Sequence, residues 1–494
     1  YQAFNAARME LLGYKNNGET PMFFVYVKGN SFVNVSSREE LYIISITDVI
    51  IETTAVGFLN NTLDGIFVES ENDFNVLKIS RFIDAFVVGN PFSNVFGSSS
   101  VIKAESTMIN NILLDSNSIN GVHQGNGYEI TASACGNIAL SYDRAFEIET
   151  QETWINIYCH ILQNSISISN ANYENISIVS LKNRLNDAVL LKVHASQVTE
   201  GTMGSFHMEG CNFTHITIDK ASQLYMKDMF NSPIIQFTLS DTVAVIQDSR
   251  FQNMSNVPVD SIICVSALNI TFKDCVLQNM KFSDDSGGLY LVSTNVSFSN
   301  TKFLENQAQE GQNRGGLIKF INPHQTDTLR MNFQGCEFTN NIATLIACEG
   351  TAISLNMDNS VISNNCGISA GLISMINVKD SSLNFIGTKF QHQEKTENSI
   401  ACNYFNFIVV EYSVGSVNVG LDSCQLNILD DFNGQLIVLN GNSQVALNAE
   451  SLDYFPMVGS SQITSSFGIL KADRFVGTFR NLNVAMMDIA ANKL

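Results

Sequence analysis

Proline is scarce, with six in 494 residues, and charged residues make up only 15% of the chain. Asn is conspicuously frequent, and a composition of this kind departs from the Ala, Glu, Lys and Leu usage of helical proteins. Strand and turn residues dominate instead. Nowhere does the sequence run to eighteen or so apolar residues, which leaves no segment able to cross a membrane as a helix. Basic residues are outnumbered, 27 against 47 acidic, for a net charge of −20. Phosphate backbones reward clustered Lys and Arg, so nucleic acid is excluded as a partner. None of the ten cysteines forms a CxxC pair, which removes zinc ribbons and thioredoxin-type chemistry. The histidines, at 123, 160, 194, 207, 215, 324 and 392, show no HxH or HExxH spacing, so no metal site is expected. A GxSxG elbow and a phosphate-binding Gly loop are also missing. The chain opens at Tyr1 with no initiating Met and no leader, and we expect a mature or partial chain whose leader lies outside it.

What is present is a repeat. The stretch MNFQGCEFTNNIA (331–343) returns as ITFKDCVLQNM (270–280), VSFSNTKFLENQA (296–308), LNFIGTKFQHQ (383–393) and FHMEGCNFTHI (206–216). With Cys336 as column zero, the aligned residues are Asn30, Ser80, Thr107, Ala171, Cys211, Ser249, Cys275, Thr301, Ser360, Thr388 and Cys424. All are small. Two residues later the column is large and apolar, as at Phe251, Phe303, Phe338 and Phe390, and three residues earlier it is apolar again, as at Phe272, Phe298, Phe333 and Phe385. The residue before column zero is usually Gly, Asn, Asp or Ser, suited to left-handed backbone angles. This pattern reads as two short strands joined by a tight bend, with alternate side chains inward. Anchors recur after 26 (249 to 275), 26 (275 to 301), 35 (301 to 336), 24 (336 to 360), 28 (360 to 388) and 36 (388 to 424) residues. The shorter spacings suit one turn of a solenoid and the longer ones a turn carrying a loop.

Four residues after column zero stand Asn34, Asn111, Asn175, Asn253, Asn279, Asn340 and Asn364, with Asp84, His215, Glu305 and His392 in other copies. Stacked about 4.8 Å apart, identical amides can bond along the stack, so this column is expected to be a buried, partial asparagine ladder beside a stacked Phe core. A third strand is expected at GGLYLV (287–292), GGLIKF (315–320) and AGLISM (370–375), with SIICV (261–265), LIACE (345–349) and SIACN (399–403) as counterparts.

These segments resemble the right-handed parallel β-helix, or pectin-lyase-like, superfamily. The pairing of a GG-L-I/L strand with F-x-x-N, seen as Phe303 to Asn306 and Phe338 to Asn341 beside Gly315–Gly316, is similar to repeats of polymorphic outer-membrane proteins and protist surface proteins. The resemblance is clearest over residues 200–430. It implies an all-β, right-handed parallel β-helix solenoid with irregular loop insertions. YQAFNAARMELLGY reads as a short amphipathic capping helix, so residues 1–20 are assigned as an N-terminal cap and residues 21–494 as one continuous β-helix. Residues 121–153 keep the pattern least well and read as an excursion. The ending VAMMDIAANKL lacks a polar closure and is expected to rest on further sequence or another molecule.

Because the superfamily includes polysaccharide lyases and glycoside hydrolases, paired carboxylates are the first place to look for chemistry. Asp284–Asp285 and Asp430–Asp431, the adjacent Asp pairs, lie in SDDSGG and LDDFNG and read as solvated turns. A glycosidase needs two carboxyls held about 5–10 Å apart around a sugar, and no catalytic residue, metal or cofactor is assigned. The column-zero cysteines, Cys211, Cys275, Cys336 and Cys424, read as buried small residues, while Cys348 with Cys366, or Cys402 with Cys424, could bridge within a rung. Seven N-x-[ST] sequons occur. Asn60, Asn212, Asn269 and Asn295 are expected outward and glycosylated, whereas Asn34, Asn175 and Asn253 fall in the expected buried ladder, where a glycan has no room.

These readings together describe a secreted, extracellular or cell-surface glycoprotein, a structural rod of about sixteen rungs and roughly 75 Å. Its expected partners are copies of itself, end to end or side by side in a filament or coat, and its N-glycans. The alternatives are a carbohydrate-active β-helix enzyme and an adhesin-like module binding through the loops at 309–314 or 322–328.

Overall fold

The computed structural model describes residues 9–14, 22–37, 44–46, 54–68, 75–97, 100–123, 126–150, 153–180, 189–199, 201–220, 233–256, 261–283, 287–309, 316–323, 327–367, 371–392, 406–413, 415–429, 435–440, 444–450, 453–457, 468–472, 475–480 and 483–484. Among these residues every regular element is a strand and none is a helix. The chain divides into two compact units, one of Tyr1–Asn256 with Val265–Leu268 and one of Val257–Cys264 with Asn269–Leu494.

Both units are parallel β-helices. Each coil contributes short strands to successive faces, and each strand pairs in parallel with its counterpart one coil on. In the second unit one face is built from Asn295–Ser299, Leu329–Gln334, Ala352–Asp358, Lys379–Ile386 and Ser416–Asp422. The next face holds Val276–Gln278, Lys302–Leu304, Glu337–Thr339, Val361–Ser363, Lys389–His392 and Gln425–Leu429. A third holds Leu289–Val292, Ile318–Ile321, Ile346–Glu349, Ile373–Ile376 and Ile408–Glu411. Parallel pairing beyond Cys424 continues with Asp453–Met457 and Asn483–Val484. Because side chains alternate along a strand, register alone puts like residues in one buried column. Phe303 pairs with Phe338, Phe338 with Ile362 and Ile362 with Phe390, and all four are buried. The Phe303 and Phe338 rings stack at 4.6 Å, and Phe298 stacks on Phe333 at 4.9 Å. Offset aromatic pairs of this sort add roughly 0.5–1.5 kcal/mol beyond area burial.

The first unit repeats this plan with its own core, in which Tyr173, Phe213 and Phe251 pair in succession. Its strands 100–115, 126–141 and 155–169 run through two faces without a break, and the pairing of the last two shifts register between Cys135 and Asn137. The expected excursion over 121–153 is instead a complete coil, since Asn126–Ser141 and Arg144–Thr150 pair in register with the coils before and after. Three further expectations are corrected. Met9–Tyr14, assigned to a capping helix, is a strand antiparallel to Met22–Lys28. The first coil's edge carries unpaired backbone groups, and pairing them outweighs local helix propensity. Tyr1–Arg8 lies outside the described residues. The slot given to SIACN is filled by Ile408–Glu411, which pairs with Ile373–Ile376; 399–403 lies outside the described residues. Ser80 and Thr107 are not column-zero residues, because Ser80 pairs with Glu105 on the strand of another face and Thr107 lies inside the long strand 100–115.

Candidate functional surface

Column zero has a chemistry that smallness alone does not convey. In the first unit the column reads Asn30, Asn61, Asn90, Asn117, Asp143, Ala171, Cys211 and Ser249, as the strand registers require. Each Asn side chain accepts from the backbone N–H of the column-zero residue one coil back: Asn30 N to Asn61 Oδ1 is 3.0 Å, and Asn61 N to Asn90 Oδ1 is 2.8 Å. Each amide Nδ2 also donates to a carbonyl of the preceding coil, Asn61 to Val27, Asn90 to Phe58 and Asn117 to Val87, at 2.9, 3.0 and 2.9 Å. The same carbonyl position is met in other coils by the thiols of Cys211, Cys336 and Cys424 and the hydroxyl of Thr388. Column zero therefore favours a small side chain that can donate backwards across the coil. Buried backbone groups at the bend are satisfied in this way.

A second buried ladder lies in the other unit. Asn306 Nδ2 donates to Asn341 Oδ1 at 2.9 Å and Asn341 Nδ2 to Asn365 Oδ1 at 2.8 Å, while each amide also bonds a carbonyl of the preceding coil. These residues stand five positions after column zero, not four. The fourth position, expected to be the ladder, is a left-handed corner: Asn34, Asn175, His215, Asn279, Glu305 and Asn340 have φ between 51° and 56° and are exposed. His392 departs from this pattern and is buried. The residue before column zero is a left-handed corner as expected, at Asn60, Asn170, Asn300, Gly335 and Asn359 among others. Corners stack so closely that a Cβ on Gly335 would meet Asn300 Oδ1 at 2.8 Å.

One ladder member is an acid. Asp143 is buried, accepts from Asn117 N at 3.0 Å, and has its Oδ2 out of reach of any donor. Burial pushes its carboxyl up to about 8, against lowering by its bonds from Asn117 and Tyr128 and with a further push from Asp115. At neutral pH the group is therefore mostly a neutral acid. By the pattern of the column, its Oδ2 stands where Asn117 carries the amide that donates to the Val87 carbonyl.

The thiols divide clearly. Cys135 and Cys159, on neighbouring coils, form a disulfide with a Cα–Cα distance of 6.0 Å. A loop of this length is worth about 3 kcal/mol by chain entropy. The column-zero cysteines Cys211, Cys275, Cys336 and Cys424 are buried, as expected. Cys348 and Cys424 are free, so the pairings Cys348–Cys366 and Cys402–Cys424 do not form. Cys348 sits fully in the core, its Sγ 3.7 Å from Met331 Sδ, and Cys424 faces the Phe385 carbonyl. Burial pushes Cys336 and Cys424 to about 11 and Cys264 to about 12. Such thiols are neither nucleophiles nor ready metal ligands.

Among the described residues no group of three or more His, Cys, Asp or Glu side chains is placed to hold a metal ion. Asp284–Asp285 and Asp430–Asp431 lie outside the described residues, as do most of the 309–314 loop and residues 324–326 of the 322–328 loop; Asn322 Nδ2 donates to the Asp327 carbonyl and to Thr351 Oγ1. The outer surface of the first unit carries a feature that sequence columns did not reveal. Phe67 and Phe96 are exposed, 46% and 39%, and the Phe96 ring stacks on His123 at 4.9 Å, with Glu149 3.6 Å from the imidazole. Parallel register puts these residues on adjacent coils of one outward column.

The sequons fall in different settings. Asn60 is exposed at a corner, and Asn212, Asn269 and Asn295 are half-buried. Asn212 Nδ2 donates to Asn172 and Asn295 Nδ2 to Asn269, at 2.9 and 3.0 Å. Asn34 and Asn175, expected to be buried in the ladder, are exposed, and Asn253 is half-buried against His215. The ground for setting these three apart thus falls away: the buried amides stand elsewhere, at column zero in the first unit and at Asn306, Asn341 and Asn365 in the other.

No protein-family model and no curated protein matches the chain. Among solved structures it is similar to the A-module of the mannuronan C-5 epimerase AlgE6 of Azotobacter vinelandii, at 9% identity and a TM-score of 0.21 over 94% of this chain and 91% of that one. A likeness this distant carries no argument about activity, and the assignment as a parallel β-helix rests on the chain's own strand registers.

Proposed function

We propose that this chain is an extracellular structural or surface glycoprotein that associates with copies of itself into a filament or coat. The carrying observation is the set of side-chain columns that bond coil to coil within each unit, because a body cross-linked along its stacking direction resists bending without any ligand. The disulfide between Cys135 and Cys159 supports an oxidising compartment, where such bonds persist. A net charge of −20 suits a soluble surface in contact with water.

The exposed Phe67, Phe96 and His123 column favours one second reading, an adhesin-like module that stacks apolar faces of a ligand on rings. Electron microscopy of native material, run beside binding and turnover assays on acidic and neutral polysaccharides, separates these. Ordered filaments or sheets without turnover are the expected result. A monodisperse protein that degrades polysaccharide would overturn the structural reading in favour of the enzyme, and a monodisperse protein that only binds would favour the adhesin.

A further inference from the structure

Asn60 belongs to the sequon Asn60–Asn61–Thr62 and lies at the corner between the strands Thr54–Leu59 and Thr62–Val68, with φ of 52°. Its neighbour Asn61 is fully buried in the ladder and bonded on both sides. The corner is therefore fixed, and Asn60 is turned outward by the same geometry that turns Asn61 inward. Among the described residues the Asn60 backbone N–H donates to the Val88 carbonyl but no hydrogen bond engages its side-chain amide, in contrast to Asn212, Asn253 and Asn295, whose Nδ2 atoms are engaged.

Beside Asn60 the outer face is hollowed. Tyr26, Lys28, Leu59, Phe86 and Val88 line an open depression of about 400 Å³, with Asn60 on its rim. These are the outward residues of three adjacent strands: Tyr26 pairs with Gly57 and Gly57 with Phe86, while Lys28 pairs with Leu59 and Leu59 with Val88. Gly57 lets the Tyr26 ring lie across the neighbouring strand as one wall of the hollow, since a Cβ there would strike the ring at 2.3 Å. Among the described residues the lining is apolar apart from the Lys28 ammonium, the Tyr26 hydroxyl and Asn60 itself. A surface of rings and aliphatic side chains edged by one cation suits the C–H face of a pyranose, with its hydroxyls left to water and Lys28.

We propose that Asn60 carries an N-linked oligosaccharide whose first sugar ring seats in the depression formed by Tyr26, Leu59, Phe86 and Val88. The inference rests on the extracellular reading above, which supplies the donor, a lipid-linked diphosphate oligosaccharide. In the transfer Nδ2 loses a proton and bonds to C1 of the first sugar, as the bond from C1 to the diphosphate oxygen breaks and the lipid diphosphate leaves.

The test uses the full chain secreted from a eukaryotic host. Glycopeptide mass spectrometry reads occupancy at each sequon, and hydroxyl-radical footprinting reads Tyr26 and Phe86 before and after glycosidase trimming to one sugar, and in T62A, which leaves Asn60 in place without its sequon. Asn60 is expected to be occupied, with Tyr26 and Phe86 protected several-fold, protection surviving the trimming and lost in T62A. Occupancy elsewhere with Asn60 bare, or protection unchanged in T62A, overturns the seat and leaves the extracellular reading standing. No occupancy at any sequon overturns both.

Discussion

Replacing Asp143 with Asn is expected to stabilise the first unit and to flatten its stability against pH. In the folded chain the carboxyl titrates near 8, from an ordinary value of 3.8, because it is buried, with Asp115 adding a like charge and Tyr128 and Tyr173 packed around it. Between about pH 4 and pH 8 the folded state holds a proton that the unfolded state has released. Stability therefore falls as pH rises through this window, is free of the penalty below it, and bears the full cost above it. A shift of this size corresponds to something on the order of 5 kcal/mol at alkaline pH. An amide at 143 does not titrate, and its Nδ2 can donate to the Leu114 carbonyl as Asn117 donates to Val87. Thermal unfolding from pH 4 to pH 9 should show the native chain losing stability while D143N holds level, with the two nearly equal at pH 4. Parallel curves for the two proteins would show that Asp143 is charged in the fold and that its slot is not an amide slot.

The second large effect is expected from neighbours in sequence that differ in fate. Asn341→Ala removes the two bonds its Oδ1 accepts from Asn306 N and Nδ2 and the two its Nδ2 gives to Asn365 and the Phe303 carbonyl. Several buried groups are left without partners, and the cost should be on the order of 4 kcal/mol. Asn340→Gly, one residue away, changes an exposed corner at φ 56°, where Gly fits the backbone freely, and should stay within about 1 kcal/mol. Chemical denaturation of the two variants reads the contrast. Equal losses, or a larger one at 340, would return the ladder to the position expected from sequence.

This pair also shows how far the sequence could be read. The columns at Phe298, Cys336 and Phe338 were legible because burial demands size and apolarity at fixed offsets, and register then stacks them. The ladder was misplaced by one residue because two different demands select Asn side by side: a left-handed corner at Asn340 or Asn364, and a buried donor and acceptor at Asn341 or Asn365. Composition cannot separate these; only φ and burial do. In the first unit Ser80 and Thr107 read as anchors from sequence because Leu77 with Phe82, and Ala104 with Ile109, imitate the apolar flanks of a column. The true anchors Asn61, Asn90, Asn117 and Asp143 are polar and were passed over, although their spacings of 29 (61 to 90), 27 (90 to 117) and 26 (117 to 143) are near one coil. The outer surface was least legible. The Phe67 and Phe96 column and the hollow between Tyr26 and Phe86 depend on which outward residues become neighbours across coils, and that requires the register first.

Register is also what a single cross-linking measurement can read. Leu304 and Thr339 pair directly across neighbouring coils on an outward column, and Thr339 pairs in turn with Ser363. Adjacent strands stand about 4.8 Å apart, within disulfide range, whereas Leu304 and Ser363 are separated by two such steps, roughly 9.6 Å, which is beyond it. Under mild oxidation Leu304→Cys with Thr339→Cys should cross-link rapidly and Leu304→Cys with Ser363→Cys should not. Failure of the first pair, or equal cross-linking of the second, would contradict coils stacked in this register.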